Sequence, residues 1–266
     1  MEIVDPRTKA GYVLDREDDF AGPELDRTTW LPHHLPQWSS RAQSAARYRL
    51  GGGLLRLVID DDQPPWCPEF DGGTRVSSLQ TGVRSGPLGS AVGQHRFTPE
   101  AVVREAQAEE RLYTPQYGFF ELRAGFPADP SSMAALWMIG VEDEPDLSAE
   151  ICVAEIFGRD VRPDGAAVGM GVHPFGDPRL TDEWAQQQVA VDVTDFHRYA
   201  VEWTPDHVAF FVDDALVTVV GQSPGYPMQF MLGVYAFPDA DGALPPPASS
   251  REFVVDRFTA YRRADL

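Results

Sequence analysis

Short apolar segments alternate with turn residues along most of the chain, which is the pattern of an all-β protein. Residues 207–212 (HVAFFV) are apolar on both alternating faces, as in an inner strand covered on each side. Asp213 and Asp214 then supply a turn, and residues 215–220 predict the return strand. Further strands are predicted at residues 116–126, 133–139 and 251–261.

One segment does not follow this pattern. Residues 100–112 (EAVVREAQAEERL) are rich in helix formers, so propensity alone predicts a helix. The all-β setting favours a strand or an irregular crossover instead, and both readings stay open. Long loops are predicted at residues 64–68 and 86–93, and binding surfaces usually lie on such loops.

Length and composition favour one domain spanning residues 1–266. The 23 glycines and 23 prolines are scattered rather than pooled into a linker. All-β sandwiches often reach about 200–250 residues as a single domain. With 43% hydrophobic residues, the chain can form a sizeable core. We therefore predict a single all-β domain.

The formal net charge of −19 restricts the partners of the protein. Nucleic acids and anionic membranes attract clustered Lys and Arg, so neither is expected to bind. A neutral carbohydrate or small molecule is favoured, and the sequence says nothing about oligomeric state. The first 20 residues lack the apolar segment and cleavage site of a signal peptide, so we expect a cytoplasmic protein. A trimmed secreted domain would look the same.

No cofactor is predicted. Cys67 and Cys152 are too few for a disulfide framework and lack metal-ligand spacing. The acidic run at residues 60–62 is expected to form a solvated turn, although such loops can hold a structural Ca²⁺. Three histidines, which show no ligand spacing, are interpreted as loop residues: His33, His34 and His95.

Two glutamates in an apolar β-type segment are the sharpest chemical feature. Glu150 and Glu155 bracket the residues Ile-Cys-Val-Ala. In a regular strand they would face opposite sides, whereas one β-bulge between them turns both to one face. Four effective steps then place their Cα atoms roughly 13 Å apart, and side chains leaning together bring the carboxyls to about 5 Å, the spacing of a retaining glycosidase. The alternative is two salt-bridged glutamates on an edge strand.

Several motifs along the chain, in this order and spacing, resemble glycoside hydrolase family 16. Residues 117–123 (YGFFELR) and 135–138 (ALWM) are similar to its strands before the catalytic one. The matching motifs also include residues 18–23 (DDFAGP), Trp30, residues 195–205 (DFHRYAVEWTP), 211–213 (FVD) and 255–261 (VDRFTAY).

This resemblance implies a two-sheet antiparallel β-sandwich, a concanavalin A-like jelly roll with a cleft on its concave face. By position, Glu150 matches the nucleophile, Glu155 the acid/base and Trp137 an aromatic that lines the cleft. The family pattern Glu-x-Asp-x-x-Glu has an aspartate that tunes the nucleophile by hydrogen bonding, and Cys152 replaces it here. A thiol is a weak donor, and two flanking carboxylates raise its pKa. We therefore expect Cys152 to pack rather than to attack substrate.

Other side chains are candidates for substrate contact. Glu121 and Arg123 share a strand face, and we expect either a buried ion pair that supports the site or a direct contact with substrate. Trp203 is expected in the core. His173 is open between a sugar contact and a core position. The remaining candidates are aromatic side chains, with Trp66 and Trp184 placed in loops: Trp66, Phe157, Trp184 and Tyr235.

Three functions are compatible with these features. The first is a retaining endo-β-glycosidase for a neutral glycan. The second is a carbohydrate-binding protein that has lost hydrolysis at Cys152. The third is an enzyme that reuses the cleft for acid/base isomerisation or cyclisation of a small molecule. An open groove favours a polymer, and a closed apolar pocket favours the third function.

Overall fold

The computed structural model describes residues 3–265, which form an antiparallel β-sandwich. A short helix α1 (Pro68–Asp71) and 3-10 turns at Pro36–Trp38 and Gly158–Asp160 interrupt the strands. The strands are β1 (Tyr12–Asp18), β2 (Tyr48–Leu50), β3 (Leu55–Val58), β4 (Arg75–Gln80), β5 (Gly82–Val83), β6 (Glu110–Arg111), β7 (Gly118–Gly125), β8 (Ser132–Gly140), β9 (Glu150–Phe157), β10 (Val161–Arg162), β11 (Gly165–His173), β12 (Glu183–Val189), β13 (His197–Trp203), β14 (Val208–Val212), β15 (Ala215–Val220), β16 (Met228–Ala236) and β17 (Glu252–Arg263).

Two large sheets pack face to face. The front sheet has the order β10-β11-β9-β8-β16-β4, with β12 paired to β11. The back sheet has the order β15-β14-β13-β7-β17-β3-β2, with β1 paired to β17. The predicted two-sheet antiparallel sandwich is confirmed, and the strands predicted from alternation fall on β7, β8, β14, β15 and β17.

Apolar side chains from both sheets fill the space between them. Ile151 and Ile156 of β9 are fully buried there, opposite Phe120 and Leu122 of β7. Trp203 is also fully buried in this core, as expected. Burial of this apolar area is the main force that holds the two sheets together.

Residues 100–112 form an irregular crossover that ends in β6, so the helix favoured by propensity is wrong. Ala101 and Val103 are both fully buried, which is the two-residue period of an extended chain. The Val103 amide donates to the carbonyl of Ser90, and the Arg104 amide to that of Gln37. Packing against neighbouring loops therefore overrides the local preference for helix.

The acidic run at residues 60–62 pairs with arginines. Arg47 contacts both Asp60 and Asp62, and Arg49 lies 2.9 Å from Asp60. Within residues 3–265 no group of three or more His, Cys, Asp or Glu side chains is placed to hold a metal ion. Nor does any helix in that range have the length and apolar character needed to span a membrane.

Candidate active site

A β-bulge in the middle of β9 brings the two glutamates to one face. Against β8, Leu136 pairs with Ala154 while Trp137 pairs with Cys152, so Val153 has no partner. The pairing with β11 skips one residue of β9 at the same place. Val153 and Ala154 both point into the core between the sheets. The predicted bulge is thus confirmed, and it leaves the acidic side chains on the opposite face.

Glu150, Cys152 and Glu155 line a cavity of about 570 Å³ on the outer face of the front sheet. Strands β8 and β16, the loops that precede β2, β4 and β6, and the loop between β11 and β12 supply the rest of its wall. The lining side chains are aromatic, apolar, acidic or histidine, and no Lys or Arg of the described chain is among them. The other lining residues are His34, Leu35, Trp66, Asp71, His95, Phe97, Met133, Ala135, Trp137, His173, Pro174, Phe175, Asp182 and Tyr235.

Burial makes both glutamates harder to ionise. Glu150 is 9% exposed, and its pKa is raised to about 8, first by burial and then by the negative charge of Glu155. Burial also raises the pKa of Glu155, while Arg159 opposes that rise. The charge of Glu155 thus opposes the ionisation of Glu150, so the titrations of the two carboxyls are coupled.

The Cys152 thiol between them is neutral. Burial, followed by the charges of Glu150 and Glu155, raises its pKa well above the usual value. This agrees with the expectation that Cys152 is not a nucleophile, because the thiolate is the reactive form.

Aromatic side chains shape the cavity on the β8 and β16 side. Trp137 donates from Nε1 to the Tyr235 hydroxyl at 3.1 Å, which fixes both rings on the cavity wall. Trp66 lies in the loop before α1 and donates from Nε1 to Asp71 at 2.5 Å. These three predicted aromatics therefore line one site, together with the glutamates.

His173 lies on β11 directly opposite Glu150 and lines the cavity. Its Nδ1 is 2.9 Å from Asp182, and its ring stacks on Trp184 with centroids 5.5 Å apart. Trp184 belongs to β12 rather than to a loop, which corrects the sequence interpretation, and it is not part of the cavity wall. It fits over Gly169, where a Cβ would lie 2.5 Å from its ring. Trp184 thus supports His173 by packing against its ring.

Two other candidates lie outside the cavity. Phe157 ends β9 and stacks on Phe237 at 6.2 Å, beyond the lining residues. Arg123 is on the back sheet, where it pairs with Asp256 at 2.7 Å, so the expectation that it supports or contacts the site is wrong. Even-numbered residues of β7 face the core, which turns odd-numbered Glu121 and Arg123 to the far surface of the sandwich.

His34 and His95 lie in loops, as predicted, and these loops place both side chains in the cavity. His34 packs edge-on against Trp66 and Tyr235, at 4.5 and 5.4 Å between ring centroids. His95 has Nδ1 3.4 Å from Glu150 Oε1. Their loops are distant in sequence from β9, so residue spacing carries no signal for either.

The comparisons with known proteins agree with this geometry. The family model "Glycosyl hydrolases family 16" matches residues 110–241. A beta-glucanase of Rhodothermus marinus is 34% identical over 106 residues, which cover 38% of this chain and 36% of that protein. The endo-1,3-1,4-beta-glycanase EglC of Rhizobium meliloti is 26% identical over 155 residues, covering 56% of this chain and 31% of that protein.

Solved structures show the same fold over nearly the whole chain. The GlcNAcα1-4Gal releasing endo-β-galactosidase of Clostridium perfringens superposes with a TM-score of 0.83 and 30% identity, over 99% of this chain and 66% of that one. The laminarinase of Rhodothermus marinus superposes with a TM-score of 0.64 and 22% identity, over 94% and 97%.

The fold and the acidic cavity define a sandwich of the glycoside hydrolase type. The chain has the glycoside hydrolase family 16 fold. It spans only about a third of the length of the two curated relatives described.

Proposed function

We propose that this protein is a retaining endo-β-glycosidase for a neutral glycan, with Glu150 as nucleophile and Glu155 as acid/base. The observation that carries the proposal is the bulge at Val153, which turns both carboxyls into one cavity. A regular strand would have buried one of them in the core.

The proposed reaction needs a proton on the Glu155 carboxyl and a negative charge on the Glu150 carboxyl. A Glu150 oxygen bonds to the anomeric carbon while the glycosidic bond breaks, and the leaving oxygen takes the proton from Glu155. Glu155 then removes a proton from water, whose oxygen displaces Glu150 from the sugar. The sugar leaves with the anomeric configuration it had in the substrate.

The cavity lining favours a neutral substrate. Asp71 and Asp182 line the cavity with the two glutamates, and the described lining contains no Lys or Arg that would pair with a sulfate or uronate. Its volume is that of a site for a small ligand, which suits a short section of a glycan chain. Because the endo-β-galactosidase neighbour superposes on nearly the whole chain, β-galactosides are the first substrates to test.

Hydrolysis of neutral β-galactoside and β-glucan oligosaccharides, followed by chromatography of the products, tests the proposal. Glu150→Gln should abolish turnover on all of them, because the amide cannot form the glycosyl ester. Glu155→Gln should still release the leaving group of an activated aryl glycoside in the first step, because that group needs no proton, but the glycosyl ester should then accumulate because no base activates water. Proton NMR of the first product should show retained configuration, and inversion would contradict the proposed roles.

A non-hydrolytic carbohydrate-binding protein is the second candidate, and the raised pKa of Glu150 beside an uncharged Cys152 favours it. Binding on a glycan array without turnover would support this function. Cys152→Asp should then restore hydrolysis, whereas an active unmutated protein excludes it. A thermal shift with small metabolites but not with glycans would point to the small-molecule function instead.

A further inference from the structure

His95 is placed against Glu150 by the loop between β5 and β6, outside the catalytic strand. Its Nδ1 lies 3.4 Å from Glu150 Oε1. That nitrogen is buried and has no hydrogen-bond partner. A buried polar atom without a partner is costly, and here the nearest carboxyl belongs to the residue proposed as nucleophile.

Three contacts fix the His95 ring where it is. It stacks on Phe175 with centroids 4.6 Å apart and packs edge-on against Trp137 at 5.0 Å. The His95 backbone amide donates to Glu142 Oε1 at 2.6 Å. The residue is held at φ +51°, in the left-handed region, which non-glycine residues seldom adopt. A strained and well-braced residue of this kind is typical of functional sites.

We propose that His95 is a positioning residue, which donates a hydrogen bond from Nδ1 to Glu150 when that carboxyl ionises. The contact is too long and poorly aligned for a hydrogen bond in this structure. A small rotation of the Glu150 side chain closes it. Cys152 offers only a weak thiol donor, so His95 supplies from a loop what the strand lacks. The inference rests on the proposed function of Glu150.

Burial keeps His95 in the state that this role needs. Its pKa is lowered to about 4, first by burial and then by the charge of His173, so the ring is neutral near pH 7. A neutral imidazole has one N–H, and a donor to a carboxylate favours the ionised acid. The donated bond would therefore favour the ionised form of Glu150 and leave the proton on Glu155.

Other titratable groups face the same place and must be accounted for. Glu155 and Cys152 lie on β9 with Glu150, and Glu142 approaches from the loop after β8. From the remaining walls, Asp182 acts on Glu150 and His173 acts on His95. His95 in turn acts on His34. A Glu150 pKa that shifts more in a His95 variant without an N–H donor than in one that keeps a donor separates the effect of His95 from the effects of these groups.

Carbon-13 NMR of glutamate carboxyls tests the inference without requiring activity. The Glu150 resonance is assigned by its loss in Glu150→Gln. His95→Phe keeps a flat ring but removes the donor, so Glu150 should titrate about one pH unit higher. His95→Asn tolerates the left-handed backbone and keeps an N–H donor, so it should reverse at least half of that shift. His34→Phe is the matched control in the same cavity and should leave the Glu150 titration unmoved.

A second measurement uses the unmutated protein. Nitrogen-15 shifts of the His95 ring should show the proton on Nδ1 above the pH at which Glu150 ionises. A proton on Nε2 in that pH range, or an unchanged Glu150 titration in His95→Phe, would overturn the inference. The nitrogen-15 measurement needs no variant, so it decides the question even where a variant folds poorly.

Kinetics separate this inference from the proposed function. On a hydrolysed glycan, His95→Phe should lower kcat about 100-fold with little change in KM, and His95→Asn should recover part of it. In the Cys152→Asp background His95→Phe should have a smaller effect, since the introduced carboxyl supplies another O–H donor when it is protonated. If the unmutated protein hydrolyses no glycan, the proposed function fails, while the two NMR measurements still decide the role of His95.

Discussion

Glu150 has two properties that oppose each other. A nucleophile must be ionised, but burial among Trp137, His95 and Cys152 raises its pKa to about 8. The protein thus stores an electrostatic cost at the residue on which the proposed chemistry depends. Enzymes often accept such a cost at active sites, because a group made stable in its resting state would react poorly.

This cost makes stability depend on pH. Glutamate in the unfolded chain ionises near pH 4.5, whereas folded Glu150 keeps its proton to about pH 8. Between these values only the unfolded state has lost the proton, so the contribution of Glu150 to stability falls as pH rises through this window. Glu150→Gln removes the ionisable group, so its stability relative to the unmutated protein should increase from about pH 5.5 to about pH 9 by on the order of 3 kcal/mol.

Urea unfolding of both proteins at the two pH values measures this difference. A constant difference across the window would mean that Glu150 ionises normally in the fold. That result would also remove the electrostatic reason for the second candidate function.

At the scale of elements, the bulge in β9 and the glycines of β11 work together. Alternation predicts the bulge, because the two acids lie five positions apart, an odd number, and the proposed chemistry needs both on one face. The position of Trp184 on β12 could not be predicted in this way, because residues 183–189 are mostly polar and resemble a loop. Gly169 leaves room for the Trp184 ring, which backs His173 across from Glu150. Only the pairing of the strands reveals that relation.

Gly169→Ala should therefore disturb the site through Trp184. The new Cβ would lie 2.5 Å from the indole, so the ring must move away. Overpacking of this kind costs about 1–3 kcal/mol, measured by urea unfolding, and hydrolysis should fall as His173 loses its support. Gly51→Ala is the matched control, since a Cβ there meets no atom within 4 Å and should change stability by less than about 0.5 kcal/mol. Equal effects of the two substitutions would contradict the role of Trp184.

At the scale of the whole molecule, the periodicity of apolar residues predicts strands of the sandwich but not the walls of the cavity. Strand alternation reports which residues face the core, and it placed the five strands named above. The walls of the cavity come from loops, such as those that bear His34, His95 and Phe175, and loop geometry depends on tertiary packing. The role expected for Arg123 is wrong because the motif that contains this residue does not say which sheet its strand joins.

The overall charge of −19 and the acidic cavity should select against anionic glycans. At about 10 mM salt the charges act over about 30 Å, and at about 150 mM over only about 8 Å. For a neutral oligosaccharide, kcat/KM should therefore change less than about twofold between these conditions, because no net charge is steered. For a sulfated form of the same oligosaccharide, kcat/KM should be lower at low salt and rise several-fold with added salt. Faster turnover of the sulfated form at low salt would contradict the proposed neutral substrate and would mean that basic groups outside the cavity lining guide the ligand.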